Sequence, residues 1–184
     1  MRAFSVALSL VLSSAALIAA ADVDVVISAL NTLNADLKTL DTDLNKVKAG
    51  IFGIRDALQA SVDTTVVDND IIAANTAVAN AAKFSASDSA RIITVVDALA
   101  AQSNKTITTT IKQAPAFGGL APVVLASLYQ LKTDSNTLGF NFAFKLDQSA
   151  INQGVIDLTV IQQGFAAAIV AYGGTSEYYF VTVF

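Results

Sequence analysis

The chain of 184 residues has no cysteine, no histidine and no tryptophan, and it carries a single glutamate, Glu177, and two prolines. Each absence removes a class of chemistry. Without Cys or His, the common nucleophile–base pairings and the usual zinc sites have no residues to be built from. No disulfide can close the fold, which must therefore hold by packing alone. A carboxylate pair for glycoside chemistry would have to come from aspartates. The Asp-x-Asp pairs Asp22/Asp24, Asp41/Asp43 and Asp68/Asp70 read better as helix starts and solvated faces. A calcium loop fails as well, because Asp68-Asn69-Asp70 runs into Ile71 and Ile72 with no glycine turn. The residues point away from an enzyme, a bound metal or a cofactor.

Positive charge is also scarce, with 11 Lys and Arg against 15 Asp and Glu, a net charge of −4. The basic residues are scattered singly apart from Lys46 and Lys48, which argues against a nucleic-acid partner. The one stretch that looks like a targeting signal is at the start. Met1 and Arg2 precede the apolar or small run Ala3 to Ala20, Ala19 and Ala21 fill an A-x-A pattern, and Asp22 follows. This reads as a secretory signal peptide over residues 1–21, cleaved after Ala21, with cleavage after Ala20 the neighbouring choice. An uncleaved membrane anchor is the competing reading; the short apolar run speaks against it. Removal of the leader leaves ten basic and fifteen acidic residues, a net charge of −5.

What the chain has in abundance is apolar side chains, 54% of all residues. Past the leader they form no run of 18 suited to a bilayer span and follow a helical period instead. The clearest stripe is Val23, Val26, Leu30, Leu33, Leu37, Leu40, Leu44, Val47, Ile51, Ile54 and Leu58. A first helix is expected from Asp22 to Lys48, with a break or tight bend at Gly50 and Gly53. A second, over Ile54 to Lys83, would turn Ile54, Leu58, Ser61, Thr65, Ile72 and Ala79 inward, with Val62 and Val66 beside them. Ser85 to Asp88 resembles a capping box ahead of a third helix carrying Ile92, Val96, Leu99, Ser103, Ile107 and Ile111. Pro115, Gly118-Gly119 and Pro122 would end that helix and begin a fourth, with Val124, Leu128, Leu131, Ser135, Leu138 and Phe142 on one face. A fifth would follow a short break near Asp147 to Ser149, with Ile151, Val155, Leu158, Ile161 or Gln162, Phe165, Ile169 and Tyr172 on one face and Gly173 and Gly174 as its cap. The expectation is an all-α, five-helix amphipathic bundle without disulfides, a single domain over residues 22–174, followed by an apolar aromatic tail at 175–184.

Polar residues falling inside the apolar seams mark the candidate site: Ser61, Thr65, Ser103 and Ser135. A helical hydroxyl can bond the carbonyl one turn back, and on that reading these are tolerated seam polarity. The alternative is that some grip the head group of an apolar ligand lying between the helices. Leu99, Leu128, Leu131, Leu138, Phe142 and Phe165 would then wall the cavity, with Phe117, Phe140 and Phe144 as further candidates; a phenylalanine cluster can equally be plain core. Asn104-Lys105-Thr106 is an N-x-[ST] sequon, either glycosylated at Asn104 or an unmodified helical asparagine.

The leader followed by Asp-Val-Asp-Val-Val-Ile-Ser-Ala-Leu-Asn-Thr-Leu, the Cys-free run of amphipathic helices, and Gln-Gly-Phe-Ala-Ala-Ala-Ile-Val-Ala-Tyr at 163–172 resemble the fungal hydrophobic surface binding protein A family. That group includes the Mp1-type cell-wall galactomannoproteins. The resemblance covers essentially the whole mature chain, as a pattern of helices and small residues rather than an invariant motif. It implies a secreted five-helix bundle, extracellular or in the cell wall, that is monomeric and holds a fatty acid or other lipid in a tunnel between its helices. The other activity it implies is adsorption to hydrophobic surfaces, with recruitment of secreted hydrolases, or a structural role in the wall. No Ser/Thr-rich stalk or lipid-anchor signal accompanies it here, and Tyr178 to Phe184 is too short for the latter.

Overall fold

The N-terminal stripe folds as its spacing predicts as far as Val47. In the computed structural model, which describes the backbone of residues 2–176 and the side chains of 22–176, Val23, Val26, Leu30, Leu33, Leu37, Leu40, Leu44 and Val47 are all buried. All but Val47, which follows its end, belong to helix α1 (Arg2–Leu44), which is followed by α2 (Ile54–Asn80), α3 (Ala86–Phe117), α4 (Ala121–Lys145) and α5 (Gln148–Ala171), with no strand among the described residues. The side chains of the expected leader and the whole of 177–184 in the expected aromatic tail lie outside the described residues.

α1 ends about a turn before the expected Lys48. Gly50 takes φ 81°, and a 3-10 turn over Ile51–Gly53 reverses the chain. Gly53 is forced there, since a Cβ would sit 1.6 Å from the Lys48 carbonyl oxygen. Beyond this corner the stripe stays in phase in the sequence but not in space: Ile51, Ile54 and Leu58 face solvent. The expected inward face of α2 is corrected accordingly. α2 buries Ala57, Ala60, Val67, Ile71, Ala74 and Val78 and leaves Thr65 and Ile72 outside. Small residues let neighbouring helix axes approach, and here close approach decides which face goes in.

Ser85 caps α3 as its pattern predicts: its hydroxyl accepts from the Asp88 N–H at 3.2 Å and donates to the Asp88 carboxylate at 2.6 Å. The β-branched run after Thr106 stays helical, with Thr106, Thr108 and Thr110 each donating to the carbonyl four residues back at 2.8–3.0 Å. Pro115 lies inside α3 without ending it. Pro122 occupies the first turn of α4, where its missing N–H has no helical partner to lose. A 3-10 turn at Gly118–Leu120 joins α3 to α4 without a gap. Counted as uninterrupted helical segments, the described residues therefore form four, not the five separate helices expected. At the far end Gly173, at φ 81°, and Gly174, whose N–H donates to Ile169 at 2.9 Å, cap α5.

The helices pack as a closed ring in the order α1, α2, α4, α5, α3 and back to α1. Cross-seam bonds fix their directions. α1 and α3 run parallel, with Arg91 on Asp24 at 2.7 Å and Thr109 on Asp41 at 2.6 Å. α2 and α4 are parallel through Asn141 on Asn75 at 2.5 Å and Lys145 on the Ala81 carbonyl. α3 and α5 are parallel through Gln153 on Asp97 at 3.1 Å and Tyr172 on the Thr110 carbonyl at 3.0 Å. Both the joined α3–α4 segment and α5 are long and apolar enough to cross a bilayer by length and composition, which the sequence reading did not anticipate. Here each supplies part of the ring wall. A ring of five helices with narrow, small-residue seams need not close on its own axis.

Candidate ligand-binding site

The axis of the ring is hollow. A cavity of about 620 Å³ runs between the helices, within the usual range for small-molecule sites. Leucine, isoleucine, valine and phenylalanine dominate its wall. At one end the Phe117 and Tyr172 rings meet edge-on with centroids 6.0 Å apart. Of the candidate residues, Ser61, Leu99, Ser103, Leu128, Leu131, Ser135, Leu138, Phe142 and Phe165 line the cavity, as do Phe117 and Phe140. Thr65 does not: it lies on the outer face of α2 and bonds the Ser61 carbonyl at 3.2 Å, while Thr64 takes the place at the wall. Phe144 points to solvent. Asn104 is on the exposed side of α3, outside the cavity.

The polar part of the wall gathers at mid-height. Gly139 of α4 lies against Leu158 of α5. One turn further along these two antiparallel helices, Ser135 therefore comes level with Gln162. On the parallel pair α3 and α5, Ile107 lies against Gly164, which brings Ser103 level with Val160, half a turn from Gln162. The Gln162 amide nitrogen is buried without a hydrogen-bond partner. Thr106 and Thr110 are instead satisfied on backbone carbonyls, and Thr106 also reaches across to the Leu37 carbonyl at 3.2 Å. Lys132 lies on the same wall, three residues before Ser135, with its ammonium 3.1 Å from the Ser176 hydroxyl. The sequence reading missed Thr64, Lys132 and Gln163, and placed Gln162 only as an alternative to Ile161. The spacing of Lys132 and Gln162 next to the stripes of α4 and α5 was the available signal.

Carboxylates are kept off this wall: none is among the described lining residues. They meet in pairs on the seams of the ring instead. Burial, with Asp134 alongside, pushes Asp68 up to about 6 between α2 and α4. Burial with Asp36 alongside does the same to Asp70 between α1 and α2, and burial with Asp97 alongside to Asp157 between α3 and α5. Among the described lining residues the cavity thus offers hydroxyl and amide donors, no carboxylate, and a long apolar lining. That chemistry suits an amphiphile with an anionic head.

The family model for hydrophobic surface binding protein A matches residues 23–140. The chain belongs to this family. Among solved structures, this family member is similar in fold to AFMP4P in complex with palmitic acid, with a TM-score of 0.77 at 19% identity, covering 82% of this chain and 99% of that one. Ligand binding domain 1 of Penicillium marneffei MP1 protein, complexed with arachidonic acids, gives 0.76 at 18% identity over 82% and 98% of the two chains. Domain 2 of the same protein, complexed with multiple arachidonic acids, gives 0.73 at 15% identity over 80% and 94%. No curated protein sequence matches the chain.

Proposed function

We propose that this family member binds long-chain fatty acids in the cavity between its helices and has no catalytic role of its own. The observation that carries the reading is the make-up of the wall: an apolar chamber of about 620 Å³ with a belt of hydroxyl and amide donors and, among the described lining residues, no carboxylate. The Ser103 and Ser135 hydroxyls and the Gln162 amide would hold the carboxylate, and Leu99, Leu128, Leu131, Leu138, Phe142 and Phe165 the chain. Burying about fourteen methylenes at roughly 0.8 kcal/mol each offers about 11 kcal/mol before the costs of association. Micromolar affinity, about 8 kcal/mol, lies within that figure. The fold shared with the palmitic acid complex of AFMP4P and the arachidonic acid complexes of MP1 protein supports the same ligand class.

The protein is further proposed to be a secreted monomer of the extracellular space or cell wall, released by cleavage after residue 21, with Asn104 open to glycosylation on the outer face of α3. Recruitment of hydrolases to apolar surfaces is the second reading. It is supported by the family to which the chain belongs and by large apolar side chains left exposed on α2.

Native mass spectrometry of the secreted protein, before and after organic extraction and then with added palmitic acid, tests the first reading. Bound fatty acid lost on extraction and regained from solution is the expected result. A protein that is empty as isolated and refuses both palmitic and arachidonic acids would overturn it.

A further inference from the structure

The cavity leaves one large feature of the surface unused. Ile54, Leu58, Val62 and Val66 recur every fourth residue along α2 and all face solvent, while the opposite, alanine-rich face packs on α1. The ridge continues into the corner at the start of α2, where Ile51 is 76% and Phe52 86% exposed. Six bulky apolar side chains in one continuous patch are more than a surface leaves exposed at random. The corner is also firmly built. Gly53 N–H donates to the Gly50 carbonyl at 3.1 Å, and Gly53 seats the turn so closely on Lys48 that no other residue fits without displacing backbone.

At the corner the exposed charge is opposite in sign to that of the chain as a whole. From Asn45 to Arg55 there are three basic residues, Lys46, Lys48 and Arg55, and no acidic one, in a chain with net charge −4. All three are exposed. The acidic groups near the stretch are Asp43, which pairs with Lys46, the half-buried Asp56, and Asp63, which is buried beside Asp43. Bulky apolar side chains projecting between exposed cations fit an interface with apolar interior and anionic surface. The patch is continuous with the cavity, since Leu58 belongs both to the ridge and to the cavity wall.

We propose that the Ile51–Phe52 corner and the outer ridge of α2 form a docking surface for an anionic lipid bilayer. Phe52 and Ile51 enter the acyl boundary, and Lys46, Lys48 and Arg55 stay among the head groups. The proposal stands apart from fatty-acid binding in the cavity, although it would place one wall of the cavity against the bilayer.

The test is flotation of the secreted protein, without residues 1–21, with vesicles made of equal parts phosphatidylcholine and phosphatidylserine. Binding is expected, weakened by added salt because the basic residues act through screened charge. Phe52→Ser should lower the partition about tenfold or more, from the value of burying one large apolar side chain. Lys48→Glu with Arg55→Glu should abolish the preference over pure phosphatidylcholine. Both variants should keep the wild-type melting temperature and palmitic acid binding, which separates loss of docking from loss of the cavity. Phe52→Trp, the only tryptophan the chain would then contain, should shift its emission to the blue on adding these vesicles. Three results would each overturn the proposal: equal binding of wild type and Phe52→Ser, equal binding to neutral and anionic vesicles, or no vesicle binding with self-association that Phe52→Ser removes.

Discussion

Replacing Asp157 with asparagine should stabilise the protein at neutral pH. Asp157 is only 7% exposed. Its Oδ1 accepts from the Gln153 amide at 3.2 Å, and the same amide reaches Asp97 at 3.1 Å. Its Oδ2 is buried with no partner. Burial first, then the facing Asp97, raise its pKa from the ordinary 3.8 to about 6. The folded state therefore takes up a proton more readily than the unfolded chain. Stability from this site is fully present below about pH 3.8 and is lost as pH rises through about 6. At about 1.4 kcal/mol per pKa unit the ceiling is ~3 kcal/mol above pH 7, and sharing of the proton with Asp97 brings a realistic figure to about 1.5 kcal/mol. Asparagine keeps the shape, carries no charge, and can donate to Asp97. Thermal melts of wild type and Asp157→Asn at pH 4 and 7.5 should differ little at the lower pH. At the higher pH the variant should melt about 3–6 °C above wild type. A variant that is no more stable than wild type at pH 7.5, or that gains as much at pH 4, would refute the reasoning.

The same sign applies to Asp68 and Asp70, both raised to about 6, so wild-type denaturant midpoints should fall from about pH 4 to pH 7; a midpoint that rises across that window would contradict it. Gly53→Ala should cost on the order of 2–4 kcal/mol, because the added Cβ meets Lys48 backbone at 1.6 Å. Gly119→Ala, with nothing within 4 Å of the new Cβ, is the near-neutral control, and urea denaturation compares the two. Thr106→Val removes a buried hydroxyl bonded to the Leu37 and Gln102 carbonyls and should lower stability by about 1 kcal/mol in the same assay. Ser103→Ala should weaken palmitic acid binding by roughly three- to tenfold in titration calorimetry with the melting temperature of the empty protein unchanged, as expected for one lost hydrogen bond to ligand.

Much of this protein was legible in its residues. The spacing of Val23 to Val47 makes an amphipathic α1, Ser85 and Asp88 start α3, and Gly173-Gly174 stop α5, because these are local matters of period, cap and backbone freedom. The stripe of α4, and that of α5 as far as Phe165, likewise named residues of the cavity wall before any packing was known, since a residue on the inward face of a stave must line whatever the staves enclose. Where reading failed, the deciding interaction was not local. The face of α2 was assigned by helical phase from Ile54 and Leu58, which carries Ser61 and Thr65 with it; close packing on α1 favours Ala57, Ala60 and Ala74 instead, and only the neighbouring helix can make that choice. Pro115 and Pro122 are breakers by type, yet their positions at the end of one helix and the start of the next let α3 and α4 join. The order of the ring, the hollow on its axis, the shared level of Ser103, Ser135 and Gln162, and the pairing of aspartates across the seams all depend on side chains far apart in the chain. Period and caps determine staves; which faces meet, and what is left empty between them, is settled only when the ring closes.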